Sequence, residues 1–377
     1  MTPPVAGMKG PDIPGFQWVR PLGQGGFADV FLYRQELPSR EVAIKVVRTQ
    51  GDERGTKELH READAMTLLA GHPSVVELHG VGTTADGRAY LIMEYCPVAD
   101  LLTQVRARPM SLEKALDTMI KISGGVEMFH RQGYVHRDIK PSNIMLDSYG
   151  KPVLADFGVA SKVGQLEVGA FDGFSVLWAP PEQQDVNSPA SPLQDVWALA
   201  ATTWTFVTGR SPFEDPIGDN SAASIANRVQ RGRMRGLGRA DAPVELERVL
   251  RAAMTIDPAE RTQSAMEFGR GLQRVQEELG QPRTEMEVKQ KRSKASTSVA
   301  TDQKTRLRGA PVIDPDATRL RSASYSFEGG AGSGGVEAVA DSWKIEPSAA
   351  VDEVSARRVV EGSSVAKKNI SPLVGVL

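Results

Sequence analysis

His136-Arg137-Asp138-Ile139-Lys140-Pro141-Ser142-Asn143, followed thirteen residues after the Asn by Asp156-Phe157-Gly158, is the stretch on which the reading of this chain turns. It sets a carboxylate, an ammonium and two oxygen ligands at fixed spacing. Phosphoryl transfer needs that set: an acid to orient a hydroxyl and accept its proton, a cation near the moving group, and an Asn and an Asp to hold magnesium. Each piece alone has a plainer reading. His-Arg-Asp is commonly a surface turn and Asp-Phe-Gly the end of a strand; their joint occurrence in this order carries the inference.

Upstream, Leu22-Gly23-Gln24-Gly25-Gly26-Phe27-Ala28-Asp29-Val30 lies between two apolar, β-prone runs, the pattern of a strand, a glycine turn and a returning strand. Glycines there let backbone N–H groups approach phosphate oxygens without a Cβ in the way. A dinucleotide-binding turn would open a helix, whereas this one leads into Val30-Phe31-Leu32-Tyr33. Val42-Ala43-Ile44-Lys45 then reads as a strand carrying one Lys among apolar neighbours, and such a Lys needs an anionic partner. A predicted helix over 56–70 offers Glu58 and Glu62, four residues apart on one face.

In this order the motifs resemble a protein kinase domain of the eukaryotic-like bacterial Ser/Thr class, over about residues 16–279. Pro180-Pro181-Glu182 stands where the family has Ala-Pro-Glu, Asp195-Val196-Trp197 resembles the start of the family's buried large-lobe helix, and Asp257-Pro258 with Arg261 completes the set. Ala28 replaces the usual third glycine. The resemblance implies an α+β, bilobal fold: a small antiparallel β-rich N-lobe with one main helix (about 16–94) and a larger, mainly helical C-lobe (about 95–279).

It also implies site roles for a Ser/Thr kinase that uses ATP with Mg2+, or Mn2+ in its place. Leu22, Gly23, Gly25 and Gly26 cover the nucleotide; Lys45 fixes its α- and β-phosphates. Glu62 is the preferred partner of Lys45 because it stands ten residues before His72-Pro73, with Glu58 the alternative in a solvated first turn. Val30, Ala43 and Met145 sandwich adenine, the main chain of Glu94 and Cys96 bonds its edge, and Asp100 reaches the ribose. Asp156 and Asn143 hold metal, Asp138 orients the acceptor hydroxyl, Lys140 neutralises the γ-phosphoryl, and Ser175 links acceptor to Asp138. Arg261 is expected to pair with Glu182. For Cys96, a small buried apolar residue is favoured over a reactive thiol.

Composition fits an enzyme with an appended tail. The chain has 377 residues, 40% hydrophobic, with net charge −2. After position 279 there are 15 basic and 12 acidic residues, leaving 30 against 35 before it, so nothing points to nucleic acid. A single Cys excludes an internal disulfide, no segment reaches the ~18 apolar residues of a membrane span, and Met1-Thr2-Pro3-Pro4-Val5-Ala6-Gly7 lacks the pattern of a signal peptide; the expectation is a cytoplasmic protein without a membrane span.

Residues 1–15 are expected to be flexible, and 280–377 to be a disordered Ser/Thr/Gly-rich tail. In it Thr305-Arg306-Leu307-Arg308 recurs as Thr318-Arg319-Leu320-Arg321, either by chance or as a pair of phosphoacceptor or docking sites. The resemblance makes a phosphothreonine-binding forkhead-associated domain a partner for such sites, beside protein substrates with Ser/Thr acceptors.

Between Phe157 and Ser175 the one hydroxyl residue is Ser161, too near Asp-Phe-Gly for the family's usual activating site. A built-in carboxylate, Asp172 or Glu167, is the expected substitute partner for Arg137. A pseudokinase scaffold would predict loss of Lys45, Asp138, Asn143 or Asp156, and all four are present; Lys140, Glu182, Asp195 and Arg261 argue against a small-molecule phosphotransferase.

Overall fold

The computed structural model of the protein describes residues 8–166, 175–185 and 187–288. Five strands, β1 (Phe16–Gln24), β2 (Ala28–Gln35), β3 (Arg40–Val47), β4 (Leu78–Thr83) and β5 (Ala89–Glu94), form an antiparallel sheet in the order β1-β2-β3-β5-β4. Strands β2 and β3 are buried on both faces through Val30, Phe31, Leu32, Tyr33, Val42, Ala43 and Ile44. That explains runs of apolar residues there in place of strict alternation.

Helix α1 (Glu53–Leu68) crosses between β3 and β4. It starts three residues before the expected position because Asp52 caps it, accepting from the Gly55 amide at 2.8 Å, and Glu53 complements the positive end of the helix.

The helical lobe contains α2 (Leu101–Ala107), α3 (Leu112–Arg131), α4 (Pro192–Thr208), α5 (Ala222–Gln230), α6 (Val244–Ala253) and α7 (Ala265–Glu278). Two short ladders cross it, β6 (Tyr134–Val135) with β9 (Ser161–Lys162) and β7 (Ile144–Leu146) with β8 (Pro152–Leu154). Helix α4 is apolar all round and correspondingly buried all round. Its start is fixed by a reciprocal cap between Ser191 and Gln194, with Pro192 in the first turn, and Gly209 at φ 77° ends it. The threonines that interrupt its apolar run are satisfied internally: Thr203 and Thr205 donate to the carbonyls of Leu199 and Ala201, and Thr205 also accepts from Trp178 Nε1.

The result is the expected bilobal α+β architecture. Among the described residues no helix is long and apolar enough to cross a membrane. The chain stays packed past the expected domain end at 279: Thr284 is buried and held by Gln273, Gln276 and Asp117. Polar partners on α3 and α7, and not apolar periodicity, keep this segment on the fold.

Candidate active site

Lys45 lies on β3 opposite Val30 of β2 and Leu91 of β5, with its stem buried. Its ammonium donates to both oxygens of Glu62, at 2.8 and 2.7 Å, and to Asp156 Oδ1 at 3.1 Å. Glu62 faces inward from α1 with 1% exposure, whereas Glu58 pairs with Arg54 on the outer face at 3.0 Å. Geometry thus separates the two candidates. The phenyl ring of Phe27 lies 5.4 Å from Lys45 Nζ and adds a cation–π contact.

Charge sets the protonation of this cluster. The Lys45 ammonium holds the Asp156 carboxyl at about 2, outweighing burial, with a smaller contribution from Lys140. Burial alone would lower the pKa of Lys45, but Asp156 and Glu62 together raise it, so the ammonium stays charged.

The turn quoted at the outset is shaped by a buried acid. Asp195, in the first turn of α4, accepts from the amides of His136 and Arg137, both at 2.7 Å, and from His130 Nε2 at 2.8 Å. These bonds hold its carboxyl below the usual range although burial opposes them. They also support a left-handed backbone at Arg137, φ 69°, a conformation few side chains adopt without compensation.

The turn then presents its side chains together. Asp138 Oδ2 accepts from Lys140 Nζ at 2.7 Å and from Asn143 Nδ2 at 3.0 Å, while Asn143 Nδ2 also donates to the Asp138 carbonyl at 2.8 Å. With Nδ2 so occupied, the amide oxygen of Asn143 points elsewhere. The carbonyl of Asn143 accepts from the Ala155 amide at 2.9 Å, tying the turn to the residue before Asp156. Asp156 is itself left-handed, φ 64°, and Phe157 is buried edge-on against His136 at 4.7 Å and Phe129 at 5.4 Å. The two charged groups are thus tied together through the Ala155 amide, next to Asp156.

The remaining expected residues fall on β1 and the turn after it, on β2, β3, β5 and β7, and on the segments that flank the helices of the large lobe. Gly23 lies near the end of β1 opposite Val30, and Gly25 and Gly26 form the β1–β2 turn, closed by a Gly25 N–H to Ala28 carbonyl bond of 2.8 Å, with Leu22 half-buried on β1. Val30 and Ala43 are buried on neighbouring strands, and Met145 packs against the large-lobe core from β7. Cys96 is buried, and burial pushes its thiol up to about 12. Glu94 uses its N–H on the Glu77 carbonyl at 2.9 Å. Asp100 is exposed and caps α2, accepting from the Thr103 amide at 2.9 Å. Ser175 opens a 3-10 turn, Ser175–Leu177.

Four contacts went unread in the sequence. Arg48, just past β3, donates to the Gly25 carbonyl at 2.6 Å and to Asp29 Oδ1 at 2.9 Å, bracing the glycine turn from behind. Arg137 Nη1 donates to Ser161 Oγ at 3.2 Å, and Gln183 donates to the Arg137 carbonyl at 2.7 Å. Glu167 and Asp172, the acids proposed for Arg137, lie outside the described residues, as do Thr305, Thr318 and the rest of the tail from 289. Arg261 is fully buried, donates to Glu182 at 2.7 and 3.2 Å, and stacks over Trp197 at 5.0 Å, the pair that the resemblance implied.

The family described as protein kinase domain matches residues 16–268. The chain is 34% identical over 279 residues to the serine/threonine-protein kinase PknK of Mycobacterium tuberculosis, covering 72% of this chain and 25% of that protein. It is 31% identical over 257 residues to the serine/threonine-protein kinase PrkC of Bacillus subtilis (66% and 39%), and 31% identical over 250 residues to the mouse serine/threonine-protein kinase SIK1 (64% and 30%). The match thus spans a quarter to two fifths of each of these relatives. With its ordered motifs, its two lobes and these likenesses, the chain belongs to the protein kinase family, in its eukaryotic-like bacterial serine/threonine class.

Proposed function

We propose that the chain is an ATP-dependent serine/threonine protein kinase acting on protein hydroxyls in cytoplasmic signalling. The observation that carries the proposal is that Asp138, Lys140 and Asn143 share one hydrogen-bonded turn, which the Asn143 carbonyl to Ala155 amide bond ties to the segment whose Asp156 pairs with Lys45 beside Glu62.

Lys45, set by Glu62, binds the α- and β-phosphates, and the amides of Gly23, Gly25 and Gly26, at the end of β1 and in the turn after it, cover them. Leu22, Val30, Ala43 and Met145 enclose adenine, the main chain at Glu94 and Cys96 meets its edge, and Asp100 reaches the ribose. Asp156, kept ionised, and the amide oxygen of Asn143 are hard oxygen donors, the kind that Mg2+ or Mn2+ accepts while taking other ligands from phosphates and water. When bound there, the metal neutralises charge on the β- and γ-phosphates. Asp138, its carboxylate plane fixed by Lys140 and Asn143, orients the acceptor hydroxyl and takes its proton. Lys140 is placed to balance charge on the leaving γ-phosphoryl, and Ser175 joins the acceptor site to Asp138.

Acceptors extend to the chain's own Thr297, Thr301, Thr305 and Thr318, and a forkhead-associated domain is the proposed reader of the phosphorylated repeats. Transfer of label from radioactive ATP to a generic basic protein and to the tail tests this reading. Asp138→Asn should lower turnover by about a hundredfold or more with nucleotide affinity little changed, and Lys45→Met should abolish transfer. Nucleotide binding without transfer by the wild-type chain would instead support a pseudokinase scaffold.

A further inference from the structure

Residues 281–288 follow α7 and contribute no group to the reaction centre proposed above, yet side chains from two helices and a loop hold them. The Thr284 amide donates to Gln276 Oε1 at 2.9 Å, its hydroxyl accepts from Gln276 Nε2 at 2.9 Å and donates to Asp117 Oδ1 at 3.0 Å, and its carbonyl accepts from Gln273 Nε2 at 2.8 Å. Every polar group of this buried residue is used.

Two helical glycines make the slot. A Cβ on Gly124 of α3 would stand 2.5 Å from the Glu287 carbonyl oxygen, and one on Gly269 of α7 would stand 2.5 Å from Met286 Sδ. Glycine inside a helix is unfavourable relative to alanine; here the space it leaves is filled by the main chain and thioether of the segment.

The segment ends on the loop that follows α1. The Glu287 carbonyl accepts from His72 Nε2 at 2.9 Å, and the tautomer follows from the other ring nitrogen, because His72 Nδ1 accepts from the Ser74 amide at 3.1 Å and Nε2 must then carry the hydrogen. That loop connects to both halves of the charged cluster. The His72 amide donates at 3.0 Å to the carbonyl of Leu69, the C-cap of α1, and Glu62 lies about two turns back along that helix. The Ser74 carbonyl accepts from the Leu154 amide at 2.9 Å and the Leu154 carbonyl accepts from the Val76 amide at 3.0 Å, two residues before Asp156.

We propose that residues 281–288 are a strap that positions the site, holding His72 and through its loop both the C-terminal end of α1, the helix whose middle carries Glu62, and the strand that delivers Asp156. Thr284 is its latch and Glu287 its point of action. The effect on turnover rests on the kinase function proposed above; the effect on the loop does not.

Amide exchange followed by mass spectrometry on the full-length chain tests the strap. Thr284→Val, which keeps shape and removes the hydroxyl bonds, and Gly124→Ala, which fills the slot under Glu287, should each accelerate exchange across residues 62–76 by about tenfold, the equivalent of about 1.4 kcal/mol. Exchange in the buried part of α4, residues 196–207, should stay unchanged, and Thr284→Ser should behave as wild type. In the same variants KM for ATP should rise while kcat falls less.

Unchanged exchange at 62–76 in Thr284→Val would overturn the proposal. So would equal acceleration throughout the helical lobe, the result expected of a segment that only closes the core. If Gly124→Ala does not fold, the Thr284→Val and Thr284→Ser pair decides the matter. Faster exchange at 62–76 in a chain that transfers no phosphate would uphold the strap and refute the kinase reading.

Discussion

Replacing Glu62 by Gln probes the cluster where its charges are closest. Glu62 is 1% exposed and takes both of its bonds from Lys45, while the same ammonium reaches Asp156 at 3.1 Å. Glutamine keeps the shape and one acceptor oxygen, so the change removes a charge and one bond without opening a cavity. Lys45 then turns towards Asp156, away from the place where it would meet phosphates and onto a carboxylate proposed to hold metal. A hydrogen bond to a charged group is worth about 1.5–3 kcal/mol, so kcat/KM for ATP should fall by about tenfold to a hundredfold. The Mg2+ concentration for half-maximal rate should rise as well. Glu58→Gln is the matched control, because its bond to Arg54 lies on the exposed face and should leave the rate within about twofold. Steady-state transfer from labelled ATP over a matrix of ATP and Mg2+ concentrations reads both effects. If Glu62→Gln stayed within about threefold of wild type, or Glu58→Gln lost as much, the placement of the Lys45 partner would be refuted.

Arg261→Met should lower Tm by about 10 °C, since breaking a buried pair costs about 3–5 kcal/mol; the lost guanidinium also serves the carbonyls of Leu193, Thr255 and Ile256. A shift below about 2 °C in thermal unfolding contradicts that role. Cys96, its thiol pushed up to about 12 by burial, stays protonated through neutral pH and should resist maleimide at pH 8 in the native chain while labelling fully in denaturant; fast native labelling refutes the buried reading. Arg48→Ala should raise KM for ATP by about threefold to tenfold with little change in kcat. Arg48→Lys should not rescue it, because an ammonium lacks the fork that spans Gly25 and Asp29; an unchanged KM in either variant removes Arg48 from the list of positioning residues.

What the sequence made legible follows from how local each constraint is. Asp138, Lys140 and Asn143 act within one turn, so their chemistry fixes their spacing and the spacing can be read. Lys45 was legible as a charge that needed a partner, but the choice between Glu58 and Glu62, one turn apart on α1, depended on which turn of the helix packs over Lys45. Asp195 was recognisable only as the start of a buried helix; that its carboxylate builds the His136–Arg137 turn, with His130 helping, needs three segments brought together. Arg48 gave little signal, because an Arg after an apolar strand ordinarily faces solvent, and its partners, the Gly25 carbonyl and the Asp29 carboxylate, are brought to it only by the β1–β2 turn.

Residues 281–288 were the hardest to read. Gln281-Pro282-Arg283-Thr284-Glu285-Met286-Glu287-Val288 is polar, contains Pro and has no period, so composition assigns it to the tail. Beside the packing of Met286 over Gly269, it is held by Gln273, Gln276 and Asp117, polar residues whose side chains satisfy the main chain and hydroxyl of Thr284, a pattern that hydrophobic periodicity does not register. A trace of it did exist in Gly124 and Gly269, each inside a helix where alanine would be the better former. Such a glycine, in a helix with no kink to explain it, marks space reserved for another segment's backbone. The sequence records the vacancy on the helices, and only the packing of α3 against α7 shows which segment fills it.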